Sequence, residues 1–120
     1  MDYDEGRELT RYVWDHFRDR MTDFERRVGY AAVGREKLAQ LGADLDHPLA
    51  VRWGLTDDPE VNAALADGPE AFRRRVRGRL LAGPAGGVFV NRCPRCGRVV
   101  RTARARQCFW CGFDWHGAGR

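Results

Sequence analysis

Four cysteines carry the clearest chemistry in this sequence, and they come as two copies of one spacing. The first is Cys93-Pro94-Arg95-Cys96-Gly97 and the second is Cys108-Phe109-Trp110-Cys111-Gly112, with eleven residues between Cys96 and Cys108. A C-x-x-C segment turns tightly enough to aim two sulfurs at one point. Two such knuckles facing each other give a tetrahedral S₄ set, the geometry of closed structural Zn²⁺ sites. Glycine after each second cysteine suits a turn with positive φ, and Pro94 stiffens the first turn by fixing its own φ. No other cysteine is present. The acidic start Met1-Asp2-Tyr3-Asp4-Glu5 lacks the positive charge and apolar run of a secretory signal. The chain therefore reads as cytoplasmic, where thiols stay reduced and paired C-x-x-C points to metal rather than to disulfides. One structural Zn²⁺ is the expected cofactor, with iron as the runner-up that the same ligands allow.

A closed S₄ site keeps no position for substrate or water. No H-E-x-x-H, Ser/His/Asp or phosphate-loop pattern occurs, and His116 reads as an exposed residue beside a site already complete. The expectation is a protein that is not an enzyme.

The cysteines sit among Arg92, Arg95, Arg98, Arg101, Arg104 and Arg106, interleaved with Phe89, Phe109, Trp110, Phe113 and Trp115. Arginine binds phosphate in a bidentate fashion, and exposed aromatic rings stack on bases. Arg95, Arg98, Arg101, Arg104, Arg106 and Trp110 are thus candidate nucleic-acid contacts, with the arginines projecting from a loop or hairpin edge. Phe89 and Phe113 are expected to cover the metal. Charge is divided as sharply as composition. Residues 1–72 hold 9 basic and 16 acidic side chains, a net of −7, whereas residues 73–120 hold 12 and 1, a net of +11. RNA or DNA is the expected partner of the basic segment, and a protein that of the acidic helices. Mutual neutralisation inside the fold is the plainer alternative.

The pattern C-P-x-C-G, a short spacer, then C-x-x-C-G resembles the short zinc ribbons found at the ends of many bacterial and archaeal proteins. The resemblance spans Val88 to about His116. It implies two short hairpins around one structural zinc, with Cys93, Cys96, Cys108 and Cys111 as ligands. Rubredoxin-like proteins also use C-x-x-C-G twice, which keeps an Fe–S₄ electron carrier among the alternatives.

The elements ahead of the cysteines read as helices. Leu9, Val13, Phe17 and Met21 recur every four residues up to a break near Arg20–Thr22. Thr22 and Glu25 form a capping box for a second helix, with Phe24, Val28, Ala31 or Ala32, and Leu38 as its apolar stripe and Gly42 as its stop. Asp46-His47-Pro48, Asp58-Pro59 and Asp67-Gly68-Pro69-Glu70 each open a further short helix, the last carrying Phe72, Val76 and Leu80. Gly83 to Gly87 reads as a linker, and Val88-Phe89-Val90 as a short strand. No apolar run approaches the ~20 residues of a membrane span.

The expected fold is therefore mainly α: an N-terminal bundle of short helices over 1–82, a Gly/Pro linker over 83–87, and a small β-hairpin zinc ribbon over 88–120. The expected function is a non-enzymatic, nucleic-acid-binding or regulatory accessory factor. A protein–protein interaction adaptor is the alternative, and a rubredoxin-like iron carrier the third reading.

Overall fold

A computed structural model describes residues 2–83 and 88–117. Residues 84–87 of the expected linker lie outside the described residues. The chain is mainly α, with helices α1 (Glu5–His16), α2 (Asp23–Gln40), α3 (Pro48–Arg52), α4 (Pro59–Ala64) and α5 (Pro69–Leu81). A 3₁₀ turn, Arg18–Arg20, follows α1. Among the described residues, no helix is long and apolar enough to cross a membrane.

Local chemistry sets most helix starts. The Asp4 carboxylate accepts from the Arg7 amide at 3.0 Å and caps α1. Thr22 Oγ1 accepts from the Glu25 amide while Glu25 accepts from the Thr22 amide, at 3.0 and 2.8 Å, the reciprocal box read from sequence. His47 Nδ1 caps α3 and Asp58 caps α4, each followed by a proline whose missing N–H costs nothing at that position. α1 ends at His16, short of the expected break, and there the imidazole Nε2–H donates to the Arg101 carbonyl at 2.8 Å.

The described chain divides into two compact units. One is Met21–Val76, and the other joins Met1–Arg20 to Arg77–Arg120. In the first, Leu38, Ala50 and Leu55 form a buried cluster walled by Ala31, Ala43, Leu45, Leu49 and Trp53. Gly34 of α2 lies flat against Leu55. A Cβ there would sit 2.7 Å from Leu55 Cδ1, so this glycine is a packing choice. Arg73, mostly buried, bridges Glu36 and Glu70, both at 2.8 Å.

In the second unit, α1 is laid along the cysteine segment by polar contacts. Tyr12 Oη–H donates to the Phe89 carbonyl at 2.7 Å, and the same oxygen accepts from the Asn91 amide at 3.2 Å. Tyr3 Oη accepts from the Val99 amide at 2.9 Å and donates to the Glu5 carboxylate. Arg92 clasps that carboxylate at 2.6 Å. Arg77 donates to the Gly6 carbonyl at 2.8 Å and the Thr10 hydroxyl at 3.2 Å.

The expected β-hairpin ribbon is not formed. Among the described residues there is no β-strand, only two isolated antiparallel bridges, Arg92 with Val99 and Gln107 with Asp114. Pairing stops after one bridge because the flanking chain is claimed elsewhere. Arg101 to Arg104 bends away after Val100. The expected strand Val88–Val90 is irregular backbone whose Phe89 carbonyl is held by Tyr12.

Candidate metal centre

The two knuckles are near copies of each other. Gly97 donates its amide to the Cys93 carbonyl at 2.9 Å, and Gly112 does the same to Cys108 at 2.9 Å. Both glycines take positive φ, 78° and 79°, the region a Cβ disfavours. Each tight turn points amides inward. The Arg95 and Cys96 amides both donate to Cys93 Sγ at 3.4 Å. Trp110 and Cys111 donate to Cys108 Sγ at 3.3 and 3.4 Å.

The four sulfurs converge. Cys93 and Cys111 Sγ lie 3.7 Å apart, as do those of Cys96 and Cys108, and all four lie within 4.8 Å of one another. A tetrahedron with metal–sulfur bonds of about 2.3 Å has edges of about 3.8 Å. The cage thus fits one metal ion and is too small for a cluster of ions with bridging atoms. Cys93 and Cys108 are buried, while Cys96 and Cys111 face solvent. Val100 and Trp115 pack behind the buried pair, with Ala105, Trp110 and Phe113 partly covering them.

The thiols are unequal in the protein. Burial pushes the Cys93 thiol up, but the amides of Cys96 and Arg95, with help from neighbouring thiols, outweigh it and bring the value down to about 7. The Phe113 amide pulls Cys111 down, yet burial and the hydrogen bonds to Cys93, Cys108 and Cys96 hold it at about 11. A metal cation bound by Cys93, Cys96, Cys108 and Cys111 would displace the thiol protons, because thiolates and not thiols are the ligands.

The candidate nucleic-acid residues are placed differently from expectation. The guanidinium of Arg95 lies over Phe113 at 5.7 Å, that of Arg98 over Tyr3 at 5.3 Å, and that of Arg101 over Phe109 at 4.1 Å. Trp110 is half-buried, edge-on to Tyr3 and Phe109 at 5.0 and 5.4 Å, so it is not the exposed stacking platform. Phe113 stacks on Trp115 and shields the cage as expected, but Phe89 points to solvent and does not. The nucleic-acid reading expected arginines projecting outward from a loop or hairpin edge. Among the described residues no strand forms to make a hairpin edge, and three of the five arginines lie over the protein's own rings. Arg104 and Arg106 differ: neither has an acid or ring partner among the described residues.

Tyr3, Tyr12 and Asn91 are the supports that the sequence did not single out. Asn91, buried, donates both amide hydrogens to the carbonyls of Thr102 and Ala105, each at 2.9 Å. Comparison with known proteins adds no family: no family model, curated protein or solved structure matches this chain.

Proposed function

We propose that this chain is a non-enzymatic protein–protein interaction adaptor built on one structural Zn²⁺ held by Cys93, Cys96, Cys108 and Cys111. The observation that supports it is the display of Phe109. This ring occupies the middle of the second knuckle, stays 49% exposed, and carries the Arg101 guanidinium 4.1 Å above it. Aromatic and arginine side chains are the ones enriched at interface cores and hot spots. A knuckle clamped by metal loses little conformational freedom when a partner binds, so more of the contact energy survives as affinity. Zinc suits the role, because four thiolates saturate it and leave no reactive position.

The test begins with the metal. Purified protein should carry one zinc per chain and be colourless. Candidate partners captured from the source cells are then purified and recombined with this chain. A complex should form, resist nuclease, and be lost in Phe109→Ala with Arg101→Ala while zinc is retained. Failure of every purified candidate to bind sinks the adaptor.

A rubredoxin-like iron centre is the second reading, favoured by the amide-to-sulfur bonds and by the two exposed cysteines. Amide donors stabilise the extra negative charge of a reduced Fe–S₄ site, and sulfurs at the surface bring the metal close to a redox partner. A red protein with an iron content of one per chain decides for this reading, and a colourless zinc protein decides against it.

A further inference from the structure

The geometry points to a second element of the adaptor, a groove formed by Phe89, Arg104 and Arg106 that takes an acidic, apolar-anchored peptide segment of a partner protein. This inference rests on the adaptor reading and names the chemistry of its partner.

The groove encloses about 380 Å³ and is lined by Phe89, Asn91, Ala103, Arg104, Ala105 and Arg106. That is room for a few side chains of an extended segment, within the range of ~300–1,000 Å³ typical of ligand clefts. Its walls are held from behind. The Asn91 side chain ties down Thr102 and Ala105, and the Ala105 amide closes a turn on the Thr102 carbonyl at 3.3 Å. The Arg106 carbonyl accepts from the Trp115 amide at 2.8 Å, and Tyr12 fixes the Phe89 carbonyl and the Asn91 amide. These bonds fix the backbone of both sides, so the groove exists before anything enters it.

Its chemistry is mixed in an informative way. Phe89, 62% exposed, gives the groove an apolar surface. The same groove is lined by Arg104 and Arg106, the two arginines of this segment that meet neither acid nor ring among the described residues. By contrast Arg92 holds Glu5, and Arg95, Arg98 and Arg101 lie over rings. The one carboxylate of the segment, Asp114, is taken by His116, which it accepts from at 2.7 Å. Two free guanidinium groups two residues apart, beside one ring, match carboxylates flanking an apolar side chain. They do not match a nucleic-acid track, which needs a run of phosphate contacts to gain affinity. Carboxylate binding by arginine adds direction through paired hydrogen bonds.

The measurement is fluorescence anisotropy on the zinc-loaded full chain. The probes are a pool of labelled twelve-residue peptides in which Asp or Glu alternates with Phe or Leu, the same peptides with Asn and Gln in place of the acids, and a labelled (dT)₁₂ strand. Acidic peptides are expected to bind with Kd on the order of 10 µM, and their amide counterparts about tenfold more weakly. Arg104→Glu with Arg106→Glu should remove about tenfold or more of the acidic-peptide affinity, and Phe89→Ala several-fold, with zinc content unchanged in both. Binding indifferent to the arginine exchange overturns the groove, as does a (dT)₁₂ strand that outcompetes every peptide. The two proposals separate in the reconstituted complex. A complex that forms regardless of Arg104→Glu with Arg106→Glu leaves the adaptor standing without this groove. Absence of any complex removes both.

Discussion

The two compact units of this chain reach order by different means. Met21–Val76 is held by ordinary apolar packing: Val28, Ala32, Leu38, Ala50, Leu55 and Val61 are buried there, and Gly34 lets Leu55 come against helix α2. The unit that joins α1 to the cysteine segment has a thinner apolar interior, in which Val13, Val99, Val100 and Trp115 share the inside with two sulfurs. Its remaining order comes from named polar groups, the phenols of Tyr3 and Tyr12, the amide of Asn91 and the Glu5–Arg92 pair. Where aliphatic side chains are scarce, a metal cage and satisfied hydrogen bonds take over the specification of structure. The first unit should therefore respond to lost methylenes, and the second to lost ligands and donors.

The largest expected effect tests that division directly. Cys93→Ser with Cys96→Ser removes half the cage, and structural zinc typically contributes about 10–16 kcal/mol of apparent binding free energy. Amide hydrogen exchange should lose protection across residues 91–116 while α2 keeps its own. If α2 loses protection equally, the contrast between the units is false. Leu38→Ala comes next and should act the opposite way. Truncating a buried leucine costs about 2–5 kcal/mol, and the loss should appear in the melting of the helical unit with zinc content unchanged.

Asn91→Ala is smaller and sharper. It strips the Thr102 and Ala105 carbonyls of a buried donor, a loss of about 1–3 kcal/mol. Faster exchange confined to residues 101–106 is the expected signature, and spread into α2 would contradict it. The least effect belongs to Glu5→Gln. Hydrogen bonds from Arg92 and then Tyr3 hold the Glu5 carboxyl below its ordinary value of 4.5. A depressed folded value means the pair stabilises above the ordinary carboxylate range and loses that contribution as pH falls through the folded value. Because both partners are substantially exposed, the cost at neutral pH should stay below about 1 kcal/mol. Melting from pH 7 down to pH 3 should show the variant converging with the parent protein.

Features that depend on a few neighbouring residues were legible in advance. Thr22 with Glu25, Asp58 with Pro59, and the glycines after Cys96 and Cys111 each act within one turn of chain, and each turned out as the spacing implied. The convergence of four sulfurs followed from the repeated C-x-x-C. The hairpins failed because strand pairing depends on what the chain does beyond the knuckle, and nothing in Val100-Arg101-Thr102 announces the bend. Tyr12 and Asn91 were missed for a related reason. Their partnership links positions 79 apart in the chain, and no local pattern records it. The arginines misled because a basic run with aromatic neighbours reads the same whether the rings meet bases or the arginines themselves.

The discontinuous make-up of the second unit has a consequence for biosynthesis. Helix α1 leaves the ribosome well ahead of the Asn91 amide and Phe89 carbonyl that Tyr12 engages, which follow it by more than seventy residues. At synthesis rates of about 5–20 residues per second, α1 waits roughly 4–15 s for them. During that interval the Tyr12 phenol, which the finished protein holds between two backbone groups, has neither partner. Met21–Val76 emerges whole within the same interval and can fold as it appears. The newborn chain thus passes through a stage in which one compact unit can be complete while the other still lacks its cysteine segment.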